Sequence, residues 1–187
     1  MGRLIRSITI IIFTIVISGA LLNVACAEAA PSGSQSQQNS NDASDDLFNE
    51  IQEYIDAKTE KVVRKYELLP SFVQKVFKKE VYLITIDMTN GGTLDIKAVK
   101  KGVQLSEFIK IDDGSDVDPS IIIQMNETTV HILMNCESDR QSFEEGIKAL
   151  ENGTVEVEFI ANKEWVANFK NYVFWLVIDR ISESIND

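Results

Sequence analysis

The chain has 187 residues, of which 44% are hydrophobic and 25% are charged, proportions that are typical of a folded globular domain. Its 29 acidic and 18 basic residues give a net charge of −11, which disfavours binding to the phosphate backbone of nucleic acids. One histidine and two cysteines are too few for a disulfide scaffold or for the usual zinc and iron–sulfur sites.

Residues 1–27 have the pattern of an export signal. Arg3 and Arg6 precede an apolar run from Ile8 to Leu22, and the small residues around Cys26 suit a signal peptidase. Two alternatives stay open: an uncleaved membrane anchor, since the apolar stretch is barely long enough to span a bilayer, and lipid modification of Cys26. In each case we expect the body of the protein outside the cytoplasmic membrane, extracellular or in the cell envelope.

Residues 28–45 are rich in Ser, Gln and Asn, and this composition predicts a disordered linker. The folded domain is predicted to span residues 46–187. Asp45 and Asp46 can cap a helix that runs to about Leu69, because apolar residues recur on one face of it. Pro70 interrupts this helix, and a short second helix is predicted over residues 72–77.

Alternating hydrophobicity predicts five strands, over residues 81–88, 93–99, 103–111, 120–125 and 154–160. Asn90-Gly91-Gly92 is a hairpin signal between the first two strands. Asn126 can cap a short helix after the fourth strand, Ser138 opens another that Gly153 ends, and a last helix is predicted over 163–184. This order predicts an α+β domain with a mostly antiparallel five-stranded sheet and helices packed on one face.

Residues 46–187 resemble the sterol carrier protein type 2 domain. Three stretches carry the resemblance: the amphipathic helix 47–66 ahead of the Asn90-Gly91-Gly92 hairpin, the strand entry at 118–123, and the step from helix through Gly153 into a strand at 149–157. The chain departs from the family at 158–161, where the strand continues instead of meeting a glycine. The resemblance implies non-catalytic binding or carriage of an apolar lipid in a hydrophobic cavity between the sheet and the helices.

Large apolar side chains are expected to line this cavity. Ile84, Ile86 and Met88 would come from the sheet, and the helices would contribute Phe143, Ile147, Trp165, Phe169, Tyr172, Val173 and Leu176. In the last helix, the stripe that begins at Trp165 is expected to face the sheet, whereas Trp175 lies off that stripe. The same side chains would also suit a solid core. The alternative function is therefore a tethered acidic domain that binds a basic protein partner.

No catalytic signature is present, and the chain is not expected to be an enzyme or to carry a cofactor. The acidic loop from Asp112 to Asp118 lacks the spacing of an EF-hand and is interpreted as a solvated turn, without a metal. His131 is interpreted as a partly exposed structural histidine, and Cys136 as a small apolar filler.

Two tripeptides have the pattern of N-glycosylation acceptors in an exported chain. Asn152 precedes Gly153 in a predicted turn and is the better candidate, whereas Asn126 would also have to cap a helix.

The expected partners of the chain are an apolar lipid or isoprenoid chain and, through a retained or lipid-modified N-terminal segment, a membrane.

Overall fold

The computed structural model describes residues 38–66 and 69–186. The helices are α1 (Gln38–Tyr66), α2 (Ser71–Val76), α3 (Glu127–Met134), α4 (Asp139–Glu151) and α5 (Glu164–Asn186). The strands are β1 (Lys79–Asp87), β2 (Thr93–Lys101), β3 (Gln104–Ile111), β4 (Ile121–Asn126) and β5 (Val155–Phe159), with a 3₁₀ turn at Gly114–Asp116. Within these ranges no helix has the length and hydrophobicity needed to cross a bilayer. The predicted leader, residues 1–27, lies outside the described residues.

The five strands form one mixed sheet in the order β3-β2-β1-β4-β5. Three neighbouring pairs are antiparallel, and β1 and β4 are parallel. The α+β class and the mostly antiparallel sheet are therefore confirmed. The parallel pair arises because the chain returns from the edge strand β3 to the other side of β1 by crossing over the sheet. Gly114 lies in this crossover, where an added Cβ would sit 3.2 Å from the Leu83 side chain.

The helices cover one face of the sheet, which we call the inner face. Phe48 of α1 stacks on Phe108 of β3, with ring centroids 5.4 Å apart. Phe174 of α5 packs against Phe159 of β5 at 5.5 Å. Phe108 and Phe159 lie in register with the buried Tyr82 of β1, so all three side chains point to the same face of the sheet. The prediction that the helices pack on one face of the sheet is confirmed.

Local signals fix several element ends as the sequence predicts. The Asn126 Oδ1 accepts a hydrogen bond of 2.8 Å from the Thr129 backbone N–H and caps α3. The Ser138 Oγ accepts from the Gln141 N–H at 3.1 Å and caps α4. Gly153 follows α4 with a φ of 74°, a left-handed conformation that glycine adopts without a steric penalty.

The first helix begins earlier than the sequence predicts. Gln38 is its first residue, so residues 38–45, which were predicted to be disordered linker, are helical. Ser44 is buried, and its Oγ accepts a hydrogen bond of 2.7 Å from the Lys110 Nζ. Lys110 also pairs with Asp45. These contacts with β3 extend the helix through a stretch whose polar composition alone predicts disorder. Residues 28–37 of the predicted linker lie outside the described residues.

The last helix is rotated relative to the prediction. Val173, Phe174, Val177 and Ile178 are buried against the domain. The stripe predicted to face the sheet, Trp165, Phe169, Tyr172 and Leu176, is exposed instead, and that prediction is wrong. Trp175, which the sequence placed off the stripe, is half-exposed and packs edge-on against Phe174. Because α5 is apolar on two opposite faces, its pattern could not decide which face is buried.

Candidate functional site

Three rows of apolar side chains cross the inner face of the sheet. Each row follows the strand register, so its members lie side by side between the sheet and the helices. The first row is Leu94, Ile86, Met125 and Val155; the second is Ile96, Ile84, Ile123 and Val157; the third is Ala98, Tyr82, Ile121 and Phe159. Most of these side chains are buried, and together they form a continuous apolar layer.

A fourth row on the same face carries charges instead of apolar groups. Glu80 of β1 pairs in register with Lys100 of β2, two residues beyond Tyr82 and Ala98. Both residues are only 2% exposed. The Lys100 Nζ donates a hydrogen bond of 2.9 Å to the Phe77 carbonyl oxygen. The apolar layer therefore ends here, because the next inward-facing pair of side chains is charged and buried.

The last helix and the fourth strand complete this charged end. The Lys170 Nζ of α5 lies 2.7 Å from Oε2 and 2.8 Å from Oε1 of Glu80. The Ser120 hydroxyl, just before β4, donates to the Glu80 carboxylate and accepts a hydrogen bond of 2.9 Å from the Val81 N–H. We call Glu80, Lys100, Ser120 and Lys170 the charged end. It joins a carboxylate, two ammonium groups and a hydroxyl under α5.

The electrostatics of the charged end are set by burial. Removal from water lowers the pKa of Lys100 from 10.5 to about 8, because a low-dielectric environment disfavours the charged ammonium. The nearby Glu80 carboxylate acts in the opposite direction and favours the charged form. Lys100 consequently titrates much closer to neutrality than a lysine on the surface does.

The structure brings together only part of the predicted ligand-binding set. Ile84, Ile86, Met88, Phe143 and Val173 are buried in one apolar cluster, and Ile147 is partly buried against it. The remaining four residues, Trp165, Phe169, Tyr172 and Leu176, lie on the opposite side of α5.

The charged end was missed at the level of sequence, although a signal for it exists. Glu80 and Lys100 continue the inward alternation of Tyr82 and Ala98 by one further step. Such positions are normally apolar, since fully buried Glu and Lys are rare unless they are paired. Lys170 precedes Val173 and Val177 by three and seven residues, which places all three on the same side of α5. The signal is therefore a charged residue at a position where the alternation of the strand, or the spacing of the helix, predicts a buried apolar one.

The other predicted sites lie apart from this layer. The His131 side chain is partly exposed, and its two ring nitrogens are 3.7 Å from carboxylate oxygens of Glu50 and Glu127. The Cys136 thiol contacts the Ile132 carbonyl oxygen at 3.1 Å, and burial raises its pKa. Because a thiol with a raised pKa is less often a thiolate, it is a weaker nucleophile at neutral pH.

The acidic loop forms its own hydrogen bonds. The Asp113 carboxylate accepts a hydrogen bond of 2.8 Å from the Ser115 N–H, which lowers the pKa of Asp113. Among residues 38–66 and 69–186, no three His, Cys, Asp or Glu side chains are placed to share a metal ion.

The two candidate glycosylation sites differ in their surroundings. Asn152 is exposed in the turn after α4, and its Oδ1 accepts hydrogen bonds from the N–H and hydroxyl of Thr154. Asn126 is partly buried, and its Oδ1 caps α3. The predicted cap role of Asn126 is confirmed.

Comparisons with known proteins add one structural likeness. No family model and no curated protein sequence matches the chain. A solution structure of a conserved hypothetical protein from Thermus thermophilus, described as a possible sterol carrier protein, is similar over 83% of this chain and 95% of its own. The sequence identity is 11% and the TM-score is 0.36. This likeness is below the level that establishes a common fold.

Proposed function

We propose that the domain reversibly binds one amphipathic lipid, with its apolar chain along the inner-face layer and its polar end beside Glu80 and Lys100. The observation that carries the proposal is the replacement of apolar side chains by a buried Glu and a buried Lys in the fourth row. This gradient, from three apolar rows to one charged row, matches the chemistry of an amphipathic chain. The proposal is consistent with the resemblance of residues 46–187 to sterol carrier protein type 2.

A domain that only needed a stable core would gain little from the charged end. Replacing a buried ion pair by well-packed apolar residues is often neutral or stabilising, so burial of Glu80 and Lys170 is weak support for a purely structural role. Buried groups with strongly shifted pKa values, such as Lys100, are frequent at functional sites. The free energy for binding would come from removing the alkyl or isoprenoid chain from water, at about 0.8 kcal/mol for each buried methylene.

We place this activity outside the cytoplasmic membrane, because residues 1–27 have the pattern of an export signal. No step in reversible binding requires a nucleophile, a metal or a cofactor. The role is that of a non-catalytic carrier, in which lipid enters and leaves between α5 and the sheet.

Native mass spectrometry of the protein purified from its own host tests the proposal. We expect an added mass from one lipid per chain, which disappears when the protein is denatured. Added fatty acid or isoprenoid alcohol should then bind the delipidated protein in a saturable way. If purified protein carries no lipid and neither compound binds, the proposal is wrong.

A matched pair of substitutions on α5 separates a ligand-accepting layer from a solid core. Val173 is buried on the inner side of the helix, and Tyr172 is its exposed neighbour. If the layer accepts a lipid, Val173→Trp should occupy that space and abolish binding with little change in the free energy of unfolding. In a solid core, the same change should destabilise the fold by about 1–3 kcal/mol through overpacking. Tyr172→Trp should affect neither quantity and serves as the control.

A tethered interaction domain with a solid core is the second candidate. The continuity of the apolar cluster from α1 through the sheet to α5 favours it, because protein interiors normally pack without large voids. Strong destabilisation by Val173→Trp, together with no detectable lipid, would select this function over the carrier.

A further inference from the structure

The outer side of α5 carries an exposed aromatic stripe. Trp165, Phe169, Tyr172 and Leu176 are 66%, 47%, 64% and 36% exposed, and Trp175 beside them is 39% exposed. At 100° per residue, the first four point within about 60° of one another. We call these five residues the outer stripe. Its core extends for about 16 Å along the helix, on the side opposite Phe174 and Ile178.

This side of the helix has no exposed charge along most of its length. Between Glu164 and Asp179, the only charged residue is Lys170, and its ammonium group is directed inward to Glu80. The polar residues that flank the outer stripe are the neutral Asn168 and Asn171. In a chain with a net charge of −11, a charge-free face of this length distinguishes α5 from an ordinary solvated helix.

The size of the outer stripe argues against a second copy as its occupant. With 150–250 Å² for each large side chain, the exposed fractions amount to roughly 400–600 Å². A stable interface needs about 800 Å² from each partner. Two copies of so acidic a chain would also repel each other. A basic protein partner would find no carboxylate between Glu164 and Asp179 to pair with.

The residues of the outer stripe are of the types found at the boundary between lipid headgroups and acyl chains. Tryptophan and tyrosine are enriched there, because each combines a large apolar ring with a polar group that stays hydrated. A helix lying in this boundary buries its apolar face about 5–10 Å deep. Most interfacial helices add Lys and Arg for anionic lipids, and the outer stripe has neither. Attraction to an anionic surface is therefore missing, whereas the acidic body would be repelled by one.

We infer that the outer stripe of α5 docks the domain on an electrically neutral lipid bilayer, with Trp165 and Tyr172 at the headgroup level. This inference does not depend on lipid binding in the inner-face layer. Docking is weak and reversible, since only about three turns of helix contribute. It is insensitive to salt, and anionic lipid weakens it.

The experiment uses the full chain with one tryptophan, reconstituted in phosphatidylcholine vesicles that carry brominated acyl chains. Trp175→Phe leaves Trp165 as the only tryptophan, which is excited selectively at wavelengths where tyrosine does not absorb. The matched control replaces both tryptophans by Phe and introduces Ile109→Trp, an exposed position on the outer face of the sheet. Any attachment through residues 1–27 is common to both forms. Quenching that differs between them therefore reports which surface meets the lipid.

We expect several-fold stronger quenching of Trp165 than of the tryptophan at position 109, with a blue shift of its emission. Phe169→Asn with Tyr172→Asn should reduce the quenching of Trp165 to the control level, while circular dichroism stays unchanged because both residues are exposed. Raising the salt concentration should leave the quenching unaltered, and phosphatidylserine in the vesicles should reduce it.

Three outcomes would overturn the inference. Equal quenching at positions 165 and 109 would show that the outer stripe has no preference for lipid. Shielding of Trp165 before vesicles are added would assign the stripe to a second copy if it depends on protein concentration, and to residues of the same chain if it does not. Stronger quenching with phosphatidylserine would replace a neutral surface by an anionic one.

Discussion

Lys170 in the last helix forms an ion pair with Glu80 in the first strand, with 2.7 Å between Nζ and Oε2. The two residues are 90 positions apart, and their side chains are 13% and 1% exposed. A buried pair of this kind fixes the rotation of a helix, because turning α5 would separate the Lys170 ammonium from the Glu80 carboxylate. The pair therefore accounts for the burial of Val173 and the exposure of Tyr172, which the apolar pattern leaves undecided.

Removing one member of this pair should be strongly destabilising. We expect Lys170→Met to lower the free energy of unfolding by about 3–5 kcal/mol, because it leaves the Glu80 carboxylate buried without its ammonium partner. Urea unfolding monitored by circular dichroism measures the change. Adding Glu80→Gln to Lys170→Met should restore part of the loss, since the buried charge is then removed as well.

Lys163→Met is the control for that experiment, because Lys163 is an exposed lysine just before the same helix. It should change the free energy of unfolding by less than about 0.5 kcal/mol. Equal effects of the two lysine substitutions would contradict a buried ion pair as the element that holds α5.

Lys100 should make stability depend on pH in an alkaline window. Its pKa is about 8 in the folded chain and 10.5 when unperturbed, so between these values the unfolded chain binds more protons than the folded chain. The free energy of unfolding should therefore rise with pH from about 8 to 10.5, by on the order of 3 kcal/mol, as the burial of a charged ammonium is relieved. Below pH 8 this group contributes no slope.

The measurement is chemical denaturation at a series of pH values for the unmodified chain and for Lys100→Met. The difference between the two should change across this window, because the variant lacks the titrating group. Lys101→Met removes the exposed neighbouring lysine and should follow the unmodified chain. A Lys100→Met curve parallel to that of the unmodified chain would show that Lys100 titrates normally.

Gly114 should not accept a branched side chain. Its Cβ position is 3.2 Å from both methyl groups of Leu83 and 3.4 Å from the Asp95 Oδ2, so in Gly114→Val either these side chains or the crossover must shift. We expect a loss of about 1–3 kcal/mol in the free energy of unfolding. Leu83→Ala in the same chain should recover part of it by making room. Ser115→Val at the exposed next position is the comparison, and an equal loss there would refute the steric cause.

Residues 1–27 should direct export. The two arginines and the apolar run predict that a reporter fused after residue 37 leaves the cytoplasm. Cell fractionation measures its location, and Arg3→Glu with Arg6→Glu should reduce export by removing the basic start. A reporter that stays entirely soluble in the cytoplasm would end this prediction.

Local chemistry explains why much of the fold could be predicted. The alternation of β1 and β2 requires only that one face be buried, and the cap residues Asn126 and Ser138 act on helices within three positions of themselves. The early start of α1 could not be predicted in this way. It depends on Lys110, which meets Ser44 from 66 positions away.

The candidate site was only half predictable for a similar reason. Ile84 and Ile86 were placed on the inner face correctly because side chains of a strand alternate between two faces, and Thr85 and Asp87 mark the other face as the more polar one. The apolar residues of α5 lie on two opposite faces, and the ion pair of Lys170 with Glu80 determines which face is buried. The spacing of apolar residues alone placed Trp165 and Tyr172 on the wrong side, because it does not contain the partner of Lys170.

The parallel pairing of β1 with β4 has a consequence for how the chain folds. Strands β1 to β3 are successive antiparallel neighbours, and β4 pairs with β5 after two intervening helices. Strands β1–β3 and strands β4–β5 can each begin to pair through contacts close in sequence. The two groups meet only where β1 pairs with β4, and no turn fixes the register of that pair. A slip of one residue there would turn Ile121 and Ile123 to the outer face. The search for this register, a non-local step, should therefore limit the folding rate.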